Sequence, residues 1–467
     1  VAEIPIQIVI AGASGFIGQA LLPVLTAKFP GAQITALSRG KRKSESPNVH
    51  WKPCDLFSMK SLEEALPERV DLAIYLVHSM GPTAQLDQGS FADYDLILAD
   101  NFAKTLSQRG VKHVIYLGGL IPETKDLSEH LRSRLEVEEA FSSHHIPMTV
   151  FRAGLIMGEG GSSWQILIKL VRRLPIMLCP SWTHTRTTPT ALSQVIYAIS
   201  EAALNPQHVA KVYDLAGCQS LTYIQMMRQT AKRLGKGRLF LRIALFTPWL
   251  SRLWVSLITN TPRELVYPLI QSLRHPMLAR KSHLFPGIDD NRTYQSLLDE
   301  IDFNYQSSNP ILKFRPAGGT VRSVQRLDLP AGRDALWVKE EYLRWLPTFL
   351  SPILLVTATL AGDRVAICLF GQVLLEMSFS LERSHKDRQL LYIKRGLLVH
   401  KENRGRLEFR VVLNRKYVIA AIHDYSPALP WYLYKYTQAR LHLWVMRSFG
   451  RHLQRLDRQD LRVSPAN

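Results

Sequence analysis

The run Ile6 to Gly18, IQIVIAGASGFIG, constrains this chain more than any other stretch. Ile6, Ile8, Val9 and Ile10 form a short apolar run, the kind a central parallel strand covered on both faces requires. Gly12, Gly15 and Gly18 follow at once, and Gln19 to Leu25 begins an apolar helical pattern. Gly12 lets the chain reverse, Gly15 lets backbone approach a pyrophosphate, and Gly18 lets the helix lie close on the strand. The helix N-terminus offers free N–H groups and a partial positive charge to the phosphates. A glycine turn without a ligand is the plain alternative, and the strand before and helix after weigh against it. Gly12, Ala13, Ser14, Gly15, Phe16, Ile17 and Gly18 are therefore expected to form a dinucleotide-binding turn.

Ile34 to Arg39 reads as the second strand, ending about 20 residues beyond the turn, where an acid would bind the ribose hydroxyls of NAD. This chain has Arg39 there, followed by Lys41, Arg42 and Lys43. A guanidinium attracts a 2′-phosphate and binds it bidentately, so NADP is favoured and NAD is the alternative. The competing reading is a basic loop. Asp55, followed by Leu56, is placed to accept from an adenine amino group, or to cap a helix. Asp71 to Val77 is the fourth strand, with His78 at its carboxyl end. Val111 to Leu117 is the fifth, running into Gly118, and Ile146 to Arg152 is the sixth. Ligands of open α/β sheets sit at such strand ends, which makes Val77, His78 and Gly118 candidate cofactor neighbours. His78 has no second ligand at metal spacing, and no metal site is expected. Strand and helix alternate throughout, the signature of a doubly wound parallel sheet.

The turn Gly12–Gly18, the Asp55 position and the phrase Phe151-Arg152-Ala153-Gly154 resemble the extended and atypical short-chain dehydrogenase/reductases. Leu76–Met80 (LVHSM), Tyr116–Leu120 (YLGGL), His130–Glu138 (HLRSRLEVE) and Arg152–Gly158 (RAGLIMG) are similar to the NmrA-like, epimerase/dehydratase-like bacterial NAD(P)-binding branch. The resemblance covers roughly residues 4–300 and implies a Rossmann-type fold and a nicotinamide dinucleotide. It also implies a Ser, Tyr and Lys set in which the phenol is the general acid/base. Here the chain departs. The Ser place falls in Leu117-Gly118-Gly119, and Tyr-x-x-x-Lys becomes His130-Leu-Arg-Ser-Arg134. His130 is then the candidate proton-transfer residue and Arg134 its ribose-side partner, the alternative being ordinary helix-surface residues. If the protein is an enzyme, the expected reaction is hydride transfer to or from a carbonyl or sugar-like substrate. The missing set equally admits a non-catalytic NADP sensor or structural binder.

In the middle segment Trp164 to Arg173, Ala191 to Ala203 and Thr222 to Leu234 read as helices. Cys179 to Pro189 lies where extended relatives place substrate-facing loops. Trp182, Thr185 and Arg186 are its candidate substrate residues, with loop packing the alternative. Trp249, Leu250, Leu253, Trp254 and Leu257 recur at helical spacing, as a core or membrane-surface face. No run of 18 uninterrupted apolar residues is present, which argues against a transmembrane helix.

At 467 residues the chain exceeds a single core. Residues 1–303 are expected to form the first domain, 304–319 a polar, turn-rich linker, and 320–467 a second domain of α+β type. Its element order, strand, helix, several antiparallel strands and a long final helix, resembles the START-like helix-grip fold. That resemblance implies a hydrophobic cavity for a lipid or other apolar ligand. The four cysteines Cys54, Cys179, Cys218 and Cys368 form no CxxC pair, consistent with a reducing, cytoplasmic setting. The net charge is +19, and residues 320–467 hold 24 Lys/Arg against 13 Asp/Glu. Such a balance favours anionic partners. On the last helix Arg447, Arg451, Arg455, Arg458 and Arg462 fall three or four apart, opposite Leu441, Val445, Phe449, Leu453 and Leu456. That face is read as solvated, or as bound peripherally to an anionic inner-membrane surface. Nucleic acid is disfavoured because no reading motif accompanies the charge.

Overall fold

The structure is a computed structural model that describes residues 5–44, 46–79, 86–243, 255–256, 258–259, 263–303, 320–350, 356–361, 364–400 and 405–463. The expected linker, and Trp249, Leu250, Leu253, Trp254 and Leu257, lie outside them. The chain divides into two compact units. One comprises Val1–Gly81 with Asp95–Lys313, and the other Pro82–Tyr94 with Phe314–Asn467.

The first unit is built on a parallel sheet of seven strands. From one edge the order is Val212–Leu215, Met148–Ala153, His113–Gly119, Leu72–Tyr75, Gln7–Ala11, Gln33–Ser38 and Val49–Pro53. Every pairing between neighbours is parallel. The doubly wound α/β fold expected of the sequence is present. Central strands are buried on both faces, as in Ile8, Val9 and Ile10 against Leu72, Ala73 and Ile74. This explains why they read as continuous apolar runs instead of alternating ones. Helices Phe16–Lys28, Met59–Ala65, Phe91–Gln108 and Glu129–Ser143 connect the strands. The order reverses between Gln7–Ala11 and Leu72–Tyr75. Open α/β sheets take ligands at such a reversal, outside the carboxyl ends of the strands.

Beyond the sheet, Ser162–Arg173 packs Trp164, Leu167, Ile168, Leu170 and Val171 into a second core with Met226, Met227 and Leu297. Short two-stranded pieces tie this region together, among them Ile176–Cys179 beside Leu239–Arg242.

The second unit is an eight-stranded sheet, antiparallel but for one edge. Strands Val356–Ala361, Arg364–Leu369, Gln372–Phe379, Arg388–Arg395, Arg406–Val412 and Tyr417–Tyr425 follow in chain order, and Val321–Asp328 then pairs with Tyr417–Tyr425. The last place is taken by Leu86–Gln88, which runs parallel to Val321–Ser323. Residues 82–94 thus belong with the second unit, whereas an uninterrupted first domain was expected. Three residues are too few for a period of two to announce a strand. The helix Ala335–Leu350 and the final helix Gln438–Val463 cover one face of the sheet. Tyr342, Trp345, Phe409 and Phe449 stack between them, with ring centroids 5.1–5.5 Å apart. These aromatic side chains fill part of the layer where the helix-grip resemblance implies a ligand cavity. Val445, Phe449 and Leu453 face this core, and Arg447, Arg451, Arg455 and Arg458 are exposed.

Candidate functional site

The glycine turn fits a phosphate-bearing ligand on the test of what a side chain would meet. Gly12 has φ +85°, and a Cβ there would lie 3.0 Å from the Leu76 backbone, across the sheet reversal. A Cβ on Gly18 would come within 2.5 Å of the Gly12 carbonyl oxygen. Both glycines are demanded by the fold. Gly15 differs: its Cβ would meet the Gly12 carbonyl oxygen at 3.2 Å and nothing else within 4 Å. The residue is exposed and is the N-cap of Phe16–Lys28, with no side-chain cap on that helix end. The protein itself leaves the space over Gly15 open, and the first-turn amides border it. Ala13 is buried, while Ser14, Phe16 and Ile17 are half-buried around the turn.

Arg39 lies exposed past the end of Gln33–Ser38, and Asp55 is the charge that acts on it. Asp55 accepts from the Phe57 amide at 3.0 Å through Oδ1, an Asx-turn that leads into the helix Met59–Ala65. Ser58, not Asp55, caps that helix. The Leu56 carbonyl accepts from Asn101 Nδ2 at 2.8 Å. Arg42 lies over the Trp51 ring.

A charged cluster lies at the end of Leu72–Tyr75. Asp95, from the Phe91–Gln108 helix, is 1% exposed. It accepts from the Ser79 amide at 2.7 Å, from Ser133 Oγ at 3.0 Å, and from Arg134 Nη2. His78 Nδ1 is 3.0 Å from Asp95 Oδ2 and 2.6 Å from Arg134 Nη2. Burial pushes the Asp95 carboxyl up, but Arg134 and then His78 outweigh it and hold the group well below the usual carboxylate range. Burial, followed by the Arg134 charge, lowers His78. Among the described residues, His78 Nε2, Ser79 Oγ and Arg134 Nε are buried with no hydrogen-bond partner. Buried polar atoms are almost always paired, so three orphans beside the sheet reversal mark a place for a polar ligand. Arg134 is no surface residue: it is buried and committed to Asp95 through Nη2.

His130 lies one helical turn away, its ring 5.2 Å from that of His78. Its Nδ1 is 3.0 Å from Ser272 Oγ, which is 3.0 Å from Ser128 Oγ and donates to the Pro268 carbonyl at 3.1 Å. Ser128 caps the Glu129–Ser143 helix by accepting from the Leu131 amide. This chain is satisfied when His130 Nδ1–H donates to Ser272, which makes Nε2 the acceptor. Burial, then the His78 and Arg134 charges, drives His130 well below its ordinary value, so the imidazole is neutral at pH 7.

Beside His130 opens a cavity of about 150 Å³. Gly119 and Ala153, at two adjacent strand ends, line it together with Leu167, Trp182, Met227 and Ile270. Its wall is mostly apolar, with His130, Ser272 and Thr187 among its polar groups. Trp182 thus lines the cavity, but Thr185 and Arg186 do not. Thr185 ends the short turn Ser181–His184, and Arg186 bonds Ser220 through Nε and Nη2. Gly118 fits closely, since a Cβ there would touch the Tyr116 ring at 3.0 Å. Val77 is half-buried beside His78.

Residues 8–173 match the NAD dependent epimerase/dehydratase family. This match spans less than half of the chain and falls chiefly in the first unit. Arg152 and Glu138, from two of the motifs that resemble this group, hold each other in a two-bond ion pair within that unit. The chain is 30% identical over 115 residues to the auxiliary protein GraX of Staphylococcus aureus, which covers 24% of this chain and 36% of that protein. It thus spans about a third of the length of that curated relative. Two solved structures share the fold. A Citrobacter sp. triphenylmethane reductase complexed with NADP(H) gives a TM-score of 0.50 at 17% identity, over 63% of this chain and 99% of that one. The Escherichia coli NADPH-dependent quinone oxidoreductase QOR2, complexed with NADPH, gives 0.51 at 17% identity, with the same coverage. Asp95 was not singled out from the sequence. The signal was present, because the acid falls on the same helical stripe as buried Ala99, Phe102 and Leu106.

Proposed function

We propose that the first unit binds NADPH across the sheet reversal and reduces a small, flat, apolar substrate held beside His130. The observation that carries this reading is the apolar cavity at the carboxyl ends of His113–Gly119 and Met148–Ala153, with His130 in its wall. A volume near 150 Å³ suits one aromatic ring, as engineered cavities of that size take benzene. A sugar would need many more hydrogen-bonding groups than this wall offers. The fold neighbours whose names specify quinone and triphenylmethane substrates support the aromatic class over the sugar-like one.

The Gly12–Gly18 turn and the first-turn amides would hold the pyrophosphate, and Arg39 a 2′-phosphate. Asp55 and Leu56 would border the adenine, and Val77, His78 and Gly118 the remainder. A reduced nicotinamide, when bound, supplies hydride. In the oxidative direction neutral His130 takes a proton from a substrate hydroxyl at Nε2; in the reductive direction Nε2 first takes a proton from water and passes it to the substrate oxygen as hydride arrives. Arg134 positions His78 and Asp95 while leaving Nε for the ligand.

Calorimetry with NADPH and NADH, followed by turnover with small quinones and aromatic carbonyls, tests the proposal. NADPH should bind more tightly than NADH, and Arg39→Ala should weaken NADPH about tenfold while sparing NADH. His130→Ala should lower turnover by about 10²–10⁴ with binding unchanged. No heat from either nucleotide with folded protein would refute the cofactor. Unaltered turnover in His130→Ala would refute the proton route.

A second reading, an NADP-binding sensor without turnover, is favoured by one observation: the residue at the family's Lys place, Arg134, is tied to Asp95. Tight NADPH binding with no substrate consumed across the panel would decide for it. The basic outer face of the final helix supports an anionic surface as a partner of the second unit. Among the described residues no helix is long and apolar enough to cross a membrane.

A further inference from the structure

At one end of the second unit's sheet, large apolar side chains stand in water. Phe370, in the turn between Arg364–Leu369 and Gln372–Phe379, is 72% exposed, and Leu397, just past Arg388–Arg395, is 61% exposed. The register puts both at the same end, since the Leu397 amide donates to the Val373 carbonyl at 3.1 Å. The chain returns to this end after Tyr417–Tyr425, where the Ala428 amide donates to the Leu398 carbonyl at 3.1 Å. There it starts the helix Trp431–Tyr436, on which Tyr432 is 67% and Tyr436 59% exposed. Three separate segments thus bring apolar tips to one place, whereas exposed apolar residues on a soluble surface are usually scattered.

Cations surround these tips. Lys394 is exposed one residue before the strand ends. Lys435 and Arg440 lie 5.6 and 5.3 Å from the Tyr436 ring centroid. Two carboxylates near this end of the sheet are already bound, Glu376 by Arg395 at 2.7 Å and Asp424 by Arg406 at 2.5 Å. Tyrosines at a boundary, protruding aliphatic and aromatic tips, and long basic side chains able to reach outward are the composition of a surface that enters the headgroup layer. A protein partner fits less well, because lysine is depleted from protein interfaces.

We infer that this end of the second unit docks on an anionic lipid bilayer, Phe370, Leu397 and Tyr432 entering the interface while Lys394, Lys435 and Arg440 meet the headgroups. Arg440 begins the arginine stripe of the last helix, whose Arg447, Arg451, Arg455 and Arg458 continue away from the patch.

The test is co-sedimentation of the full chain with vesicles of phosphatidylcholine alone and of phosphatidylcholine with 30% phosphatidylglycerol. We expect at least tenfold stronger partitioning onto the anionic vesicles, weakened by 0.5 M NaCl. Lys394→Glu with Lys435→Glu and Arg440→Glu should abolish it. Phe370→Ser with Leu397→Ser and Tyr432→Ser should reduce it tenfold or more while low-salt attraction persists. Circular dichroism and thermal melting check that each variant is folded. For the wild-type chain, quenching of its fluorescence by brominated anionic lipid gives a readout that needs no variant. Absence of partitioning, equal partitioning onto both vesicles, or variants that sediment like the parent would overturn the inference. So would self-association of the chain that the apolar variant abolishes, since the patch would then be a protein interface.

Discussion

Replacing Asp95 with alanine would leave Arg134 buried and charged beside a neutral His78. Stripping one partner from such a pair costs about 3–5 kcal/mol, which a shift of the urea midpoint at constant slope would register. The same residues contribute to how stability responds to acid, alongside other buried groups that are depressed, His113, His423 and Glu408 among them. His78 and His130 are depressed in the folded protein, so the unfolded chain takes protons first. Their contribution is complete above about pH 6.5, the unfolded imidazole value, and is lost as the pH falls below it. Asp95 is also depressed, and its contribution disappears in a second step below about pH 4. Melting temperature against pH should therefore fall in two stages; His130→Asn should shrink the upper stage and Asp95→Asn the lower one. The glycines offer a contrast of another kind. Gly18→Ala forces a Cβ into the Gly12 carbonyl and should cost about 2–3 kcal/mol, while Gly15→Trp should preserve the melting temperature and abolish NADPH binding. The three glycines were legible because each is a local steric demand. Asp95 is marked only by its place on an apolar helical stripe and Ser272 by nothing local, for their partners lie 38 and 142 residues away.

The helix Glu129–Ser143 has two tasks, to bury Leu131, Val137 and Phe141 and to aim His130 and Arg134 at the strand ends. Both depend on how it begins. Ser128→Ala removes the cap and should cost about 1 kcal/mol. It also deprives Ser272 of a neighbour, so His130 should become easier to protonate, visible as an upward drift of its imidazole NMR titration. Helices of this kind were legible from their apolar stripe. Their ends were less so: the Met59–Ala65 helix starts at Ser58, although Asp55 is an equally good cap by type. The periodicity reads as one final helix from about Leu429 to Leu461, but Thr437 separates Trp431–Tyr436 from Gln438–Val463. No proline or glycine marks that break, so the periodicity ran across it.

Across the molecule, the alternation of strand and helix made the first unit's fold readable, because parallel sheets demand a crossover after every strand. The second unit's antiparallel strands were readable too, but not the origin of its edge. Leu86–Gln88 pairs with Val321–Ser323, Gln88 Nε2 donates to the Ala439 carbonyl at 2.9 Å, and Asp93 accepts from Arg326 at 2.8 Å. A fragment beginning at residue 314 lacks all three interactions. A synthetic peptide of residues 82–94 should raise its melting temperature with the logarithm of its concentration once above its Kd, and a flat response would assign that edge no structural weight. The borrowed strand also bears on biosynthesis. Residues 86–88 leave the ribosome more than 200 residues ahead of their partner, an interval of roughly 10–50 s at ordinary elongation rates. Through that interval the strand has no partner, so this edge of the sheet closes only after residue 323 has emerged.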